Sequence, residues 1–167
     1  MNNIFLIGFM GTGKSSIAKE IERKYNKEYI ELDELIEQRA AISISEIFNV
    51  YGEEYFRDLE TKTLESLECQ NSVISCGGGI VLRDKNVSLL NKMGKAIWLK
   101  AEPDTIYERI KNAGDRPLLK KNMSVDYITT LMNSRLEKYE CAADGCLVTD
   151  CMSIEQAAEY IYEKFIQ

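Results

Sequence analysis

The fold of this chain is decided by a stretch near its beginning, Ile4-Phe5-Leu6-Ile7-Gly8-Phe9-Met10-Gly11-Thr12-Gly13-Lys14-Ser15. Its first four residues are apolar and predict a short buried strand that Gly8 ends. The residues that follow match the pattern GxxxxGK with Ser or Thr after it, and an amphipathic pattern from Ile17 to Tyr25 predicts a helix directly behind them. A strand, a glycine-rich turn and a helix in this order are typical of a phosphate-binding loop, where backbone N–H groups converge on phosphate oxygens.

The loop pattern assigns phosphate chemistry to particular residues. Lys14 would bridge the β- and γ-phosphates of a nucleoside triphosphate, and the Ser15 hydroxyl would bind Mg²⁺. The alternative is an ordinary glycine-rich turn with an exposed lysine, and the agreement of motif and context argues against it. We therefore expect the nucleotide to be bound by a continuous set of loop residues, namely Gly11, Thr12, Gly13, Lys14, Ser15 and Ser16.

Beyond the loop, short apolar runs alternate with longer amphipathic patterns. Further strands are predicted over residues 29–32, 73–76, 95–100 and 146–149. Helices are expected to begin at the capping boxes of Ser43 and Ser153 and at Pro103, and one is expected to carry the apolar face from Ile128 to Tyr139. This alternation indicates βαβ units. The predicted fold is therefore a three-layer α/β domain over residues 1–167, with a five-stranded, mostly parallel sheet flanked by helices. The pattern does not predict the order of the strands in the sheet.

The composition narrows the class of function. The 167 residues include 21 basic and 27 acidic side chains, for a net charge of −6, which argues against a nucleic-acid partner. Histidine is absent, which excludes Ser-His-Asp triads and histidine-ligated zinc. No apolar run approaches the roughly 18 residues of a membrane span, and the five cysteines contain no CxxC pair. We expect a cytoplasmic monomer with reduced cysteines and no membrane partner.

Three further places are candidates for a phosphoryl acceptor site. Asp33 follows the second predicted strand, Arg57 lies early in the helix after Gly52, and Gly77–Gly79 ends the third strand. Each has an ordinary alternative: a helix N-cap for Asp33, a solvated or Glu60-paired surface residue for Arg57, and a plain loop for the glycines. Because ligands of open α/β sheets bind at the carboxyl ends of the strands, we expect all three beside the phosphate loop. A regulatory GTPase is disfavoured, because the nearest string to NKxD, at 91–94, lacks the aspartate.

Taken together, these motifs resemble the shikimate kinase family. The resemblance rests on the phosphate loop and on segments that follow it in order from residue 4 to about 150: Glu31–Glu37, Ser43–Phe48, Gly52–Glu60, Gly77–Gly79, Arg116–Leu119, and Arg135 four residues before Tyr139. The phosphate loop alone is common to many families, whereas the combination with Asp33, Phe56-Arg57 and Arg116-Pro117-Leu118-Leu119 is specific. The family usually has aspartate where this chain has Glu31.

The resemblance implies the nucleoside-monophosphate-kinase-like fold, with a mobile lid at about 114–125 and an acceptor-binding helical region at about 33–60. It implies transfer of the γ-phosphate of ATP to the 3-hydroxyl of shikimate, with Mg²⁺, in aromatic amino-acid synthesis. Lys14, Asp33 and Arg116 would be catalytic, with Asp33 a weak general base and Arg116 reaching the phosphates from the lid.

The same resemblance assigns the binding residues. Arg57 and Arg135 would hold the shikimate carboxylate, Gly77, Gly78 and Gly79 would contact the ring hydroxyls, and Arg109 would stack on adenine. Two rival functions remain at this stage. One is another small-acceptor kinase on the same fold, similar to gluconate kinase, and the other is a non-catalytic module that senses ATP.

Overall fold

A computed structural model describes residues 3–111 and 124–167 of the chain. In these ranges five strands form one parallel sheet with the spatial order β2-β3-β1-β4-β5. The strands are β1 (Asn3–Ile7), β2 (Glu28–Glu31), β3 (Ser72–Ser75), β4 (Gly94–Lys100) and β5 (Gly145–Val148). The predicted five-stranded parallel sheet is confirmed.

Helices connect the strands and cover both faces of the sheet. They are α1 (Lys14–Tyr25), α2 (Leu32–Ala40), α3 (Ile44–Val50), α4 (Gly52–Glu65), α5 (Asp84–Met93), α6 (Pro103–Ile110), α7 (Val125–Asn133), α8 (Leu136–Ala142) and α9 (Ile154–Ile161). A 3₁₀ turn over Ile80–Leu82 follows the triple glycine, and a π-helical turn over Tyr162–Ile166 follows α9.

The core lies in two layers, one on each face of the sheet. Side chains alternate along a strand, so Ile4 and Leu6 of β1 pack with α1 and α9, while Phe5 and Ile7 pack on the opposite face with residues of α5 and α8. All residues of β1 are buried, as expected for the central strand of a parallel sheet covered on both faces. This arrangement is the three-layer architecture that the sequence predicts.

The strand order brings the candidate site together. The phosphate loop follows β1, Asp33 follows β2 and Gly77–Gly79 follows β3, and these three strands are neighbours in the sheet. Because the strands are parallel, their carboxyl ends lie at the same edge. Three segments that are far apart in sequence therefore meet at one end of the sheet.

Local signals for helix starts are confirmed, and one helix prediction is wrong. Ser43 and Ser153 each form a capping box, and Pro103 is the first residue of α6. The apolar face from Ile128 to Tyr139, however, is carried by two helices, α7 and α8, separated at Ser134–Arg135. The apolar spacing continues in phase through both helices, so the pattern does not reveal the break.

Three predicted strands also extend one residue too far, since β2, β3 and β5 end at Glu31, Ser75 and Val148.

Candidate active site

The phosphate loop forms the turn between β1 and α1. Gly11 and Gly13 have φ values of 78° and 97°, in the left-handed region where a side chain would strain the backbone. Gly13 is the N-cap residue of α1 and has no side chain with which to cap it. The first N–H groups of α1, together with the positive end of the helix dipole, therefore suit an anionic ligand.

Lys14 is held inside this loop. Its ammonium group donates to the carbonyl oxygens of Gly8 (2.8 Å) and Phe9 (2.9 Å), and the residue is buried. The long side chain thus folds back over the start of the loop. This conformation places the positive charge of Lys14 against the carbonyl groups of the phosphate loop, and its role in binding phosphate stays a prediction.

A cavity of about 480 Å³ connects the loop with the predicted acceptor residues. Its lining includes the loop from Met10 to Ile17 at one end and Asp33, Gly77 and Gly78 at the other. Arg109 lies at its border, where the guanidinium donates to the Gly11 carbonyl (3.2 Å) and the Thr149 carbonyl (2.9 Å). These bonds tie α6 and the end of β5 to the phosphate loop, a connection that sequence patterns did not indicate for Thr149.

Several side-chain oxygens that could bind a metal ion lie close together where the phosphate loop meets β2 and β3. The hydroxyls of Ser15 and Ser75 lie 3.2 Å apart, and Glu31 lines the same cavity. The Glu31 carboxylate accepts a hydrogen bond from the Tyr29 hydroxyl at 2.8 Å. Burial and this neighbouring carboxylate raise the pKa of Tyr29, which keeps it a donor. Hydroxyl and carboxylate oxygens are the ligands that Mg²⁺ prefers, so this donor set fits that ion.

Arg57 is buried against Gly79, next to the two glycines that line the cavity. Its guanidinium donates to Glu60 and to Glu53, each at 3.0 Å, and it is only 5% exposed. A Cβ atom at Gly79 would lie 2.3 Å from Arg57 Nη1, so the guanidinium packs directly against that glycine. The predicted alternative of a surface residue is wrong, although the pairing with Glu60 is confirmed.

Asp33 and Glu60 both face Gly77. A Cβ atom there would lie 2.8 Å from Asp33 Oδ1 and 2.9 Å from Glu60 Oε1, so only glycine leaves room for both carboxylates. Asp33 is the second residue of α2, whose N-cap is Glu31, and the N-cap alternative for Asp33 is therefore wrong.

Glu60 has a perturbed carboxyl group. Burial raises its pKa to about 7, against the opposing effect of Arg57 and with a smaller contribution from the Asp33 charge. Glu60 is completely buried, and its Oε1 atom has no hydrogen-bond partner within the described part of the chain. The sequence pattern suggested Glu60 only as a partner of Arg57 three residues earlier, and nothing in it signalled this burial.

Arg135 is buried against the glycine turn. It lies in the break between α7 and α8, and its Nη1 atom donates to the Gly78 carbonyl at 3.2 Å. Its guanidinium also lies 5.7 Å from the centre of the Phe9 ring. The Tyr139 hydroxyl donates to the same Gly78 carbonyl. Asp33, Arg57, Gly77–Gly79 and Arg135 are thus brought together, whereas Arg116 lies outside the described residues.

A phosphate loop that shares one cavity with Asp33, Gly77 and Gly78, on a parallel sheet of this order, is typical of a P-loop small-molecule kinase. The chain belongs to the shikimate kinase family, because the family model described as shikimate kinase matches residues 10–166.

Individual relatives agree. A shikimate kinase from Thermodesulfovibrio yellowstonii is 40% identical over 166 residues, which cover 99% of this chain and 95% of that protein. One from Dehalococcoides mccartyi is 43% identical over 162 residues, with 96% and 91% covered. Among solved structures, shikimate kinase from Acinetobacter baumannii in complex with shikimate matches with a TM-score of 0.92 at 26% identity, over 98% of this chain and 92% of that one.

In the two ranges that the structure describes, no helix combines the length and the apolar character that a membrane span requires.

Proposed function

We propose that this chain transfers the γ-phosphate of ATP to the 3-hydroxyl of shikimate, the phosphorylation step of the shikimate pathway. The proposal is carried by one observation: two buried arginines, Arg57 and Arg135, contact the Gly77–Gly79 turn, whose Gly77 and Gly78 line the phosphate-loop cavity together with Asp33. An acceptor that has both a carboxylate and a hydroxyl fits this combination. The family membership of the chain agrees with it.

The phosphate end of the cavity binds and orients ATP. The N–H groups of Gly11–Ser16 surround the phosphate oxygens, and Lys14 contributes the positive charge that the loop itself lacks. The Ser15 hydroxyl would hold Mg²⁺, which would supply charge neutralisation for the phosphate oxygens. Arg109, fixed between Gly11 and Thr149, lies where an adenine base would leave the loop.

The acceptor end recognises a carboxylate by geometry. A guanidinium group is planar and can donate two parallel hydrogen bonds to a carboxylate, which an ammonium group cannot do. Glu60 and Glu53 fix the direction of Arg57, and the Gly78 carbonyl fixes that of Arg135. Because the Gly77–Gly79 turn has no side chains, its backbone can come close to the ring hydroxyls.

Asp33 is the general base of the proposed reaction. It lies in the first turn of α2, where the helix dipole favours its negative charge, and it lines the cavity between the loop and the arginines. A carboxylate oxygen of Asp33 accepts the proton of the acceptor hydroxyl as the hydroxyl oxygen bonds to the γ-phosphorus and the bond between that phosphorus and the leaving ADP breaks. Since the transition state is largely dissociative, Asp33 acts chiefly by orienting the hydroxyl.

The proposal includes the segment at about 114–125 as a lid and Arg116 as the residue that stabilises charge on the transferred phosphoryl group. Both rest on the sequence motif, because Arg116 and all but the last two residues of this segment lie outside the described residues. We infer a single kinase domain over residues 1–167 that acts as a cytoplasmic monomer on small molecules. Its net charge of −6 suits neither a nucleic-acid partner nor an anionic membrane.

The test is release of ADP from Mg-ATP with shikimate, quinate or gluconate as acceptor. We expect turnover that depends on shikimate. Turnover with gluconate alone would be consistent with a small-molecule kinase but would contradict shikimate as its acceptor. ATP binding with no acceptor-dependent turnover would favour a sensing module and contradict the proposal.

A further inference from the structure

The Gly78 carbonyl is bound by two side chains at once. Arg135 donates from Nη1 at 3.2 Å and Tyr139 donates from its hydroxyl. A carbonyl oxygen has two lone pairs, so these two donors complete its hydrogen-bonding capacity. The two residues are four apart at the start of α8, which places them on the same side of the helix. Two side chains at the start of α8 therefore hold the middle residue of the triple glycine through hydrogen bonds.

Tyr139 is unusually well fixed for this task. The residue is 2% exposed, and its ring stacks on that of Trp98 in β4, with 5.6 Å between ring centres and 14° between planes. Burial raises the pKa of Tyr139 to about 12, so the hydroxyl keeps its proton and stays a donor at neutral pH. The stacked ring restricts the hydroxyl to one direction.

Because a peptide group is planar, fixing the Gly78 carbonyl also fixes the orientation of the Gly79 N–H at the acceptor site. In a trans peptide the N–H of Gly79 points opposite to the C=O of Gly78. Holding the carbonyl against α8 thus aims the Gly79 N–H away from α8, while Arg57 packs against the same glycine. A glycine pair has no side chain to restrain this plane, so without an external hold it could rotate.

We propose that Tyr139 is a positioning residue for the acceptor: its hydroxyl fixes the Gly78–Gly79 peptide plane, so that this plane meets the acceptor in one orientation. This inference rests on the proposed function, because the acceptor is taken to lie against the glycine turn. Trp98, the single tryptophan of the chain, stacks on Tyr139 and becomes a natural reporter of acceptor binding.

The test is Tyr139→Phe, which keeps the stacked ring and removes only the hydroxyl. Loss of one buried hydrogen bond should raise the KM for shikimate by about five- to tenfold. The KM for ATP should stay within about twofold, because the hydroxyl bonds to the Gly78 carbonyl and not to a group of the phosphate loop. The matched control is Tyr160→Phe, whose hydroxyl contacts Lys164 near the end of the chain. That variant should leave both KM values unchanged.

A second measurement separates positioning from simple packing. Titration of wild type with shikimate should change Trp98 emission, and the midpoint in Tyr139→Phe should rise by the same factor as the KM. An unchanged shikimate KM in Tyr139→Phe overturns the inference, and so does an equal rise of both KM values, which would show a general structural defect. If wild type turns over only another acceptor, shikimate phosphorylation fails, and the inference is decided by the KM for that acceptor. No turnover with any acceptor overturns both.

Discussion

Arg57 holds two acidic partners that differ in burial. Glu60 is completely buried, whereas the Glu53 side chain is 46% exposed. These two carboxylates fix the orientation of the planar guanidinium group of Arg57. The group therefore contributes a defined geometry as well as a positive charge. Acceptor affinity should therefore depend on the shape of this cation as much as on its charge.

Arg57→Lys should raise the KM for shikimate at least about tenfold and change kcat less, because the positive charge remains while the two-point contact is lost. Steady-state kinetics with varied shikimate measure this. Arg83→Lys is the matched control, since Arg83 also pairs with two carboxylates of α4, Glu54 and Asp58, at the surface. An unchanged shikimate KM in Arg57→Lys would show that this side chain does not bind the carboxylate.

Glu60 should give the protein a pH-dependent stability. Its folded pKa of about 7 exceeds the ordinary value of 4.5, so folding takes up a proton between these values. The free energy of unfolding should fall as pH rises from about 5 to 7, because the ionised carboxylate is costly to bury. No histidine titrates in this window.

Denaturant unfolding at a series of pH values measures this slope. Glu60→Gln should flatten it, and Glu53→Gln, which removes the exposed partner of the same arginine, should leave it in place. A slope of the same size in Glu60→Gln would contradict the assignment of the proton to Glu60.

At the scale of an element, the turn after β3 is shaped by its lack of side chains. Its three glycines differ in what surrounds them, although the sequence shows them as equal. A Cβ atom at Gly79 would overlap Arg57, and one at Gly77 would press on two carboxylates, whereas one at Gly78 would have no neighbour closer than 3.5 Å. The outer two glycines therefore make room for side chains of α2 and α4.

Gly79→Ala should lower the free energy of unfolding by about 1–3 kcal/mol, since the added methyl group must displace a buried guanidinium. Gly78→Ala should cost clearly less, because it makes only ordinary contacts. Urea unfolding of the two variants compares neighbouring positions of one turn. Equal losses would mean that backbone flexibility, rather than the space taken by Arg57, requires glycine at position 79.

At the scale of the whole molecule, the phosphate loop connects the predicted ATP site to the core of the protein. The loop continues the buried central strand, and Lys14 bonds to carbonyl groups of the loop itself. Binding of ATP should therefore stabilise the entire fold by mass action, by about 2.7 kcal/mol at a concentration of 100 times Kd.

Lys14→Ala should abolish turnover and most of the ATP-induced rise in Tm, while circular dichroism of the unliganded protein stays that of wild type. The control is Lys24→Ala, on the same helix but paired with Glu159 at the surface. Substantial activity in Lys14→Ala would overturn the role of the loop lysine.

The sequence by itself determined the elements and the chemistry at their ends. Strand and helix types, the capping boxes of Ser43 and Ser153 and the phosphate loop all follow from local patterns, because each depends on residues within one or two turns of each other. The motifs also indicated Asp33, Arg57 and Gly77–Gly79 as acceptor residues, and the resemblance to the shikimate kinase family added Arg135. The tertiary structure brings these residues together.

The tertiary structure alone decided which segments meet and which charges are buried. Strand order depends on contacts between residues far apart, such as Ile4 with Val73, and no local pattern contains them. The same holds for the burial of Glu60, for the break at Arg135 and for the bond from Tyr139 to Gly78, since each results from packing between separate elements. Periodicity shows that a face is apolar, but only the folded chain shows what that face covers.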